Sequence, residues 1–413
     1  MQTLRARRRP SLAETEQRRH RPDYWLPLIA TGLLGIGVVV VYAISPGVST
    51  QNNVSEAYYI TKQLVAVALG AIAFLVLSRV PIRWWRSAIK PLILASILTA
   101  LAVQFFGARV NGAYRWVQIG GFSFQAAELI KFTLLIWLAD LLARAKKAGK
   151  LDSWQDTLKP LAICLVAIAI VVGVMESDFG STTVMVGMIS AMVFVAGLPL
   201  KRIMMIGGTI AIGAILLISA IPYRRQRLLT FLHPAANCQT TGYQSCQALI
   251  AVGSGGMFGL GLGKSVQAYG YLPEASNDSI FAILSEKFGF IGMTLILAAY
   301  AVFFGRLAKI IEKAPDDFSG FLVTGMLAWF SVQAAINIGA MIGLLPLKGI
   351  TLPFISTGGT SVLFVTGALG LAFQISRYSS YSISNNNQRS LNDDPTSGRG
   401  QRRTYYTTVR RRT

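Results

Sequence analysis

Acidic residues are the scarcest chemistry in this chain: 18 Asp and Glu stand against 39 Lys and Arg in 413 residues, a formal net charge of +21. Charged residues of both signs make up 14%, where a soluble domain carries about a quarter. Water is therefore not the solvent for most of this sequence. Cysteine is nearly absent as well, with three in the chain, so a disulfide-stapled scaffold is excluded. Cys238, Cys246 and His233 match no standard zinc spacing. No small-residue cleavage site follows the first apolar run, and no internal repeat marks the two halves of a transporter. The Gly-rich stretch Gly253–Ser265 lacks a Walker lysine pattern. The basic tails lack an aromatic-basic module, so nucleic acid is not the partner expected for the positive charge.

Long apolar runs are what the sequence does contain. The stretch "WLPLIATGLLGIGVVVVYAI" from Trp25 is long enough to span a bilayer and carries no charge. Further runs begin near Ile60, Pro91, Leu129, Leu158, Ser181, Ile203, Ser279, Gly320 and Ser361. Together they predict an all-α polytopic membrane protein with about ten transmembrane helices, since continuous runs do not fit the weak alternation of a barrel. A large extracellular loop is expected between helices 7 and 8. Residues 1–24 read as a basic cytoplasmic tail, 25–378 as the transmembrane domain, and 379–413 as a polar, basic, disordered tail. Basic residues cluster in both tails and in alternate loops, which places both termini in the cytoplasm by the positive-inside rule. The same charge predicts attraction to anionic lipid.

That orientation leaves four segments outside, about 107–128, 175–181, 223–278 and 344–360. The first carries Arg115 and Trp116, an interfacial anchor or a phosphate contact, and then Glu128 and Lys131, three apart on one helix face. That pair is either a structural ion pair or the lining of a wet cavity. The second, "ESDFGST", offers Asp178 as a helix N-cap. Arg224, Arg225 and Arg227 in the third break the positive-inside trend, either to hold an anionic group such as a diphosphate or as a solvated charge cluster. Cys238 and Cys246, eight residues apart on the oxidising side, are expected to pair; holding a metal with His233 is the other option. The glycines after them allow close approach to a ligand. The same segment ends in "YLPEASNDSIFAILSEKFGFIG", where Glu274, Asp278 and Glu286 gather at the start of an apolar run. Glu286 is expected to serve as a structural partner of Lys287 or of another helix. In the fourth, prolines and Gly358-Gly359 break the helix at membrane depth, which is tolerated only where backbone lines a cavity or is buried in protein. All four are expected to converge on one polar site.

Five blocks in order, "NGAYRWVQIG…FQAAELIK", "ESDFGSTT", "YRRQRLLTFLHP", "GYQSCQALIAVGSGG…YLPEASNDSIFAILSEKFGFIG" and "NIGAMIGLLPLKGITLPFISTGGTS", resemble the SEDS family of shape, elongation, division and sporulation proteins. The wording is nearest to the FtsW and SpoVE type, and more distant from RodA. Where the family usually shows Pro-Ser before the first glutamate this chain has Ala126-Ala127; it has Ser177 in place of a proline, Ser276-Asn277 in place of His-Thr, and Thr357 in place of an aromatic.

The resemblance implies a glycosyltransferase that polymerises lipid II, the undecaprenyl-diphosphate-linked disaccharide-peptide, into peptidoglycan strands outside the cytoplasmic membrane. It implies a class B penicillin-binding protein as transpeptidase partner, alongside other divisome or elongasome membrane proteins. Asp278 matches the family's essential aspartate and is expected to act as general base. Substrate contacts are expected from Glu128, Lys131, Arg115, Trp116, Arg224, Arg225, Glu274, Lys348, Ser356, Gly358 and Gly359. A Mg2+ or Mn2+ ion near the diphosphate is also expected, with Asp278 a possible ligand. Two rival functions, a lipid II flippase and a non-catalytic scaffold for the penicillin-binding protein, have less need of an external aspartate.

Overall fold

The computed structural model describes residues 17–19, 21–51, 53–110, 113–119, 122–199, 201–202, 208, 231, 238–240 and 242–380. Helices α1 (Trp25–Gln51), α2 (Tyr58–Leu77), α3 (Ile82–Ser87) and α4 (Ile89–Phe106) come first. They are followed by α5 (Ala126–Lys147), α6 (Trp154–Met175) and α7 (Phe179–Ala196). Beyond the third outward segment lie α8 (Tyr243–Ser254), α9 (Ile280–Glu312), α10 (Asp317–Met341) and α11 (Gly359–Ile375). Seven of these, α1, α2, α4, α6, α7, α9 and α10, are long and apolar enough to cross a bilayer. The runs predicted near Leu129 and Ser361 form α5, which carries more charge, and α11, which is shorter. The run near Ile203 lies almost wholly outside the described residues, as do Arg224, Arg225, Arg227 and His233. Both tails lie mostly outside them too. At their roots β1 (Gln17–Arg19) pairs antiparallel with β5 (Tyr378–Ser380).

α10 is the axis of the bundle, with 72% of its most apolar window buried and α5, α7 and α9 packed around it. Helices in lipid gain little from apolar burial against one another, so association rests on close packing and polar links. The links are here. Trp329, Gln333 and Asn337 follow one another at four-residue spacing down one face of α10, all buried. At the basic end of the bundle, Arg306 at the end of α9 pairs with Asp23 at 2.6 Å, and the Asp23 amide donates to Ser376 beyond α11. Arg144 and Arg86 pair with Asp140 in the same region, at 2.8 and 3.6 Å.

α9 is broken where the sequence places Gly289, at φ 62° and ψ −167°. The freed backbone is taken up by the Gly-rich segment: Leu260 and Gly261 amides donate to the Glu286 and Lys287 carbonyls, while Phe290 and Ile291 amides donate to Gly256 and Met257. A Cβ on Gly289 would collide with the Met257–Gly259 backbone. Gly255 and Gly259 therefore serve close approach of the chain to itself, whereas a Cβ on Gly253, Gly256, Gly261 or Gly263 would meet nothing within 4 Å. A second departure is small. The first outward segment folds as an antiparallel sheet of β2 (Ala108–Val110), β3 (Ala113–Ile119) and β4 (Phe122–Gln125), with Trp116 opposite Gln125.

Candidate functional site

The four segments expected outside meet, through their described residues, at one end of the bundle. Arg115 on β3 donates from Nε to the Glu176 carbonyl at 3.0 Å and from Nη2 to that of Ser177 at 2.6 Å, joining the first segment to the second. Asp178 caps α7 through the Ser181 amide at 2.9 Å and also accepts from Gln125 Nε2 at 3.0 Å. Its role is that of an N-cap, as its position suggests. Thr360 at the head of α11 donates to the Ser123 carbonyl at 2.7 Å and accepts from the Gln125 amide. Thr357 reaches the third segment, its amide and hydroxyl both donating to the Ser276 carbonyl.

Asp278 lies where these links cross. It precedes Ser279, the N-cap of α9, and is 9% exposed. Asn337 Nδ2 on α10 donates to the Asp278 carbonyl and to that of Ile350, both at 2.7 Å, which fixes the aspartate's backbone against the fourth segment. Its carboxylate Oδ1 receives only long contacts, from Gln244 Nε2 and Ser279 Oγ at 3.5 Å each. Gly349 faces the other oxygen: a Cβ built there would stand 3.5 Å from Asp278 Oδ2 and 4.0 Å from Arg115 Nη1. Glycine thus leaves a gap between carboxylate and guanidinium. Burial, reinforced by nearby Glu274, pushes the Asp278 carboxyl up to about 7, against hydrogen bonds from backbone, Ser279 and Gln244 that lower it. Glu176, 2% exposed with neither carboxylate oxygen hydrogen-bonded, is raised further, to about 8, by burial and Asp178 despite Arg115.

The remaining candidates divide. Lys348 stands over the Phe179 ring at 5.1 Å, beside the gap at Gly349. Glu274, at φ 53°, shapes the turn before Asp278, its carbonyl accepting from the Asn277 and Ser279 amides. Trp116 is half-buried on β3, one residue after Arg115. Glu128 and Lys131, both on α5, form a buried ion pair of 2.8 Å. Lys131 also donates to Gln333 Oε1 at 3.2 Å, and Gln333 Nε2 in turn donates to the Thr351 carbonyl and hydroxyl. The pair therefore supports the fourth segment from beneath, one hydrogen bond removed from it. Ser356 accepts from the Leu352 amide at 2.7 Å and is buried, so it closes a turn and is not presented as a ligand. Gly358 and Gly359 open α11. Glu286 accepts from Ser265 Oγ and from the Val266 and Gln267 amides at 2.7 and 3.1 Å, whereas Lys287 donates to the Leu262 carbonyl. These consecutive residues point to different parts of the Gly-rich segment, so Glu286 is structural, with that segment as partner in place of Lys287.

Cys238 and Cys246 are joined as a disulfide, Cα atoms 5.6 Å apart. Cys164 is free and packs within α6. Among the described residues no three His, Cys, Asp or Glu side chains gather as a metal site. Gln333, Asn337 and Gln244 were missed by sequence reasoning. The first two left a signal, since two amides four apart in an apolar span are rare outside functional or packing sites.

A bundle of membrane-spanning helices with a buried carboxylate and a guanidinium across a gap at one end defines a class: a multi-pass membrane protein built around a polar site at one end of its helices. The chain belongs to the FtsW/RodA/SpoVE family, whose profile, described as cell cycle protein, matches residues 24–381. It is 37% identical over 360 residues to the probable peptidoglycan glycosyltransferase FtsW of Saccharophagus degradans, covering 86% of this chain and 92% of that one. It is 36% identical over 362 residues to the stage V sporulation protein E of Bacillus subtilis, covering 87% and 98%. The fold is shared with a chain of a peptidoglycan synthase complex that coordinates polymerization and crosslinking, at TM-score 0.70, 24% identity and coverage of 86% and 98%. Thermus thermophilus RodA shares it at TM-score 0.63, 24% identity and coverage of 86% and 97%.

Proposed function

We propose that this protein is a peptidoglycan glycosyltransferase that polymerises lipid II at the outer face of the cytoplasmic membrane, with Asp278 as general base. The observation that carries the role of Asp278 is its carboxyl: nearly buried, raised to about 7, and facing a gap at the bundle end. A base works best with a pKa near the operating pH, and an ordinary aspartate is too weak a base for a sugar hydroxyl. In the reaction, an acceptor hydroxyl oxygen bonds to the anomeric carbon of the donor sugar. The bond from that carbon to the lipid diphosphate breaks, its electrons leaving with the diphosphate, and the hydroxyl proton passes to Asp278.

Arg115 borders the gap, its Nη1 4.0 Å from where a Cβ on Gly349 would stand, and it is a candidate to meet the charge of the leaving diphosphate. Its Nε and Nη2 are already spent on backbone carbonyls, so it is held rigidly. Lys348 is the second candidate for this work. Asp278 is the described carboxylate that would hold a hard divalent cation, in place of acting as base, with substrate oxygens and water completing the shell as is usual for Mg2+. Such an ion supplies charge neutralisation of the diphosphate.

The basic loops lie together at the end opposite Asp278, which supports cytoplasmic termini and an outward-facing site. A transpeptidase of the penicillin-binding class is the expected partner. The structural neighbour from a peptidoglycan synthase complex supports this. The test is polymer formation from labelled lipid II by the purified protein, alone and with such a partner, with Mg2+ or with chelator. Product that depends on the protein supports the enzyme reading; binding or transport of lipid II without product favours a flippase.

A further inference from the structure

At the basic end of the bundle a cavity of about 410 Å3 opens between α3, the start of α10 and the end of α11. Trp84 on α3 is 63% exposed, with Arg83 before it and Arg86 two residues after. A tryptophan left exposed among arginines, where one apolar span turns into the next, marks the headgroup layer of a bilayer. Arg83 and Arg86 both line the cavity. Arg86 lies over the Phe318 ring, its Cζ 4.5 Å from the centroid, and its Nε stands 3.6 Å from Asp140. Arg144 takes the same carboxylate at 2.8 Å, so Asp140 neutralises only one of the two guanidiniums. Arg83 is exposed and makes no ion pair among the described residues. The acid on the cavity wall, Asp316, is committed as the N-cap of α10 and accepts from the Ser319 amide at 2.7 Å. Two arginines against one carboxylate leave the wall with one positive charge to spare, and counting Arg144 with Asp140 leaves that balance unchanged.

Gln374 separates this cavity from a plain cluster of surface charges. It lines the wall from the last turn of α11, is 6% exposed, and its carboxamide oxygen has no hydrogen-bond partner among the described residues. A buried acceptor left unmet is costly, and a donor brought by a ligand relieves it. The wall therefore suits one ligand with two properties: an anionic group for the arginines and a hydroxyl or N–H donor for Gln374. The guanidinium fork matches phosphate oxygens, and a basic pocket between helix ends at headgroup depth matches a lipid. The chain's own tails are basic and supply no such anion. We propose that this cavity binds the headgroup of an anionic, hydroxyl-bearing phospholipid, with phosphatidylglycerol as its simplest form. Its phosphodiester lies on Arg83 and Arg86, and a glycerol hydroxyl donates to the Gln374 oxygen. Its single negative charge equals the positive charge that the wall has to spare. Phosphatidylethanolamine offers a donor but no net charge, and phosphatidic acid offers charge but no glycerol hydroxyl. The assignment to the cytoplasmic leaflet rests on the orientation argued above; the site itself does not depend on the glycosyltransferase reading.

The experiment uses the full-length protein, delipidated in detergent and titrated with phosphatidylglycerol, phosphatidic acid or phosphatidylcholine, with bound lipid counted by native mass spectrometry. Phosphatidylglycerol is expected to be retained in preference to the other two. Arg83→Gln is expected to lower its affinity about fivefold, the effect of one basic side chain at an anionic membrane surface. Arg83 is exposed and unpaired, so this change leaves the fold intact by gel filtration. Lys90→Gln is the control: Lys90 is exposed at the start of α4 and outside the cavity wall, and its loss is expected to leave the affinity unchanged. Gln374→Leu is expected to weaken phosphatidylglycerol about three- to tenfold, the effect of one hydrogen bond, and to leave phosphatidic acid as it was. Equal losses in Arg83→Gln and Lys90→Gln would mean diffuse attraction to surface charge and overturn the proposal. So would equal weakening of both lipids, or of neither, in Gln374→Leu. Displacement of the lipid by inorganic phosphate or glycerol phosphate at matching concentration would assign the cavity to a soluble anion and overturn the lipid assignment. Polymerisation is not read, so absence of glycosyltransferase activity would leave a positive binding result standing.

Discussion

Asp278 and Glu176 are both buried carboxylates, and pH acts on activity and stability in opposite senses through them. Their folded-state values, about 7 and about 8, lie above the ordinary carboxylate range near 4. The stability each contributes is therefore complete below about pH 4 and is lost as pH rises through those folded values. Thermal denaturation in detergent should show a falling midpoint between roughly pH 4 and 8, and Glu176→Gln should flatten the upper part of the slope. Polymerisation should instead rise through pH 7, because only the ionised Asp278 accepts a proton. Gly349→Leu should fill the gap between Asp278 and Arg115 and cut polymerisation about a hundredfold, with the fold intact by circular dichroism. Asp278 was legible in the sequence because a carboxylate beside an apolar run is costly and needs a reason. Gln244 was not: an amide carries no charge to stand out, and its partner is 34 residues away.

At the level of elements, the fourth segment is held from below by α5 through α10, from Glu128 and Lys131 by way of Gln333 to Thr351. Changing Glu128 or Lys131 alone to Ala leaves one buried charge without its partner, at a cost of about 3–5 kcal/mol. Folded yield should fall for each. The double change Glu128→Gln, Lys131→Met should restore yield, measured by gel filtration, while activity stays reduced because Thr351 has lost its support. Full activity in the double variant would make the pair purely a folding device. α9 offers a second case: Gly289→Ala forces a Cβ into the Met257–Gly259 backbone at φ 62°, and should cost at least about 1–3 kcal/mol of stability. The spans were readable because hydropathy and length suffice for helices in lipid. The break in α9 was not, since Gly289 gains its meaning only when a distant Gly-rich segment docks there. The strands β2 to β4 were likewise hidden, being short and joined by local turns.

Among the described residues, Asp23 and Asp140 with their arginines lie at one end, and the Asp278 cluster with Arg115 and Lys348 at the other. That sorting was legible from the alternation of basic loops, whereas the joining of four outward segments into one site needed the helices to be packed. Thiol labelling of intact cells should separate the ends, with Tyr271→Cys reached from outside and Lys147→Cys only after permeabilisation. Reaction of both from outside would reverse the proposed orientation. The site's purpose is tested most directly by Asp278→Asn, which keeps the size and the hydrogen-bonding reach of the side chain and removes its ability to take a proton. Purified with wild type and supplied with labelled lipid II, the Asn variant should fold, bind the lipid and lose polymerisation by about a hundred- to ten-thousand-fold. Polymer at near the wild-type rate, from folded protein free of other polymerases, would take Asp278 out of the chemistry.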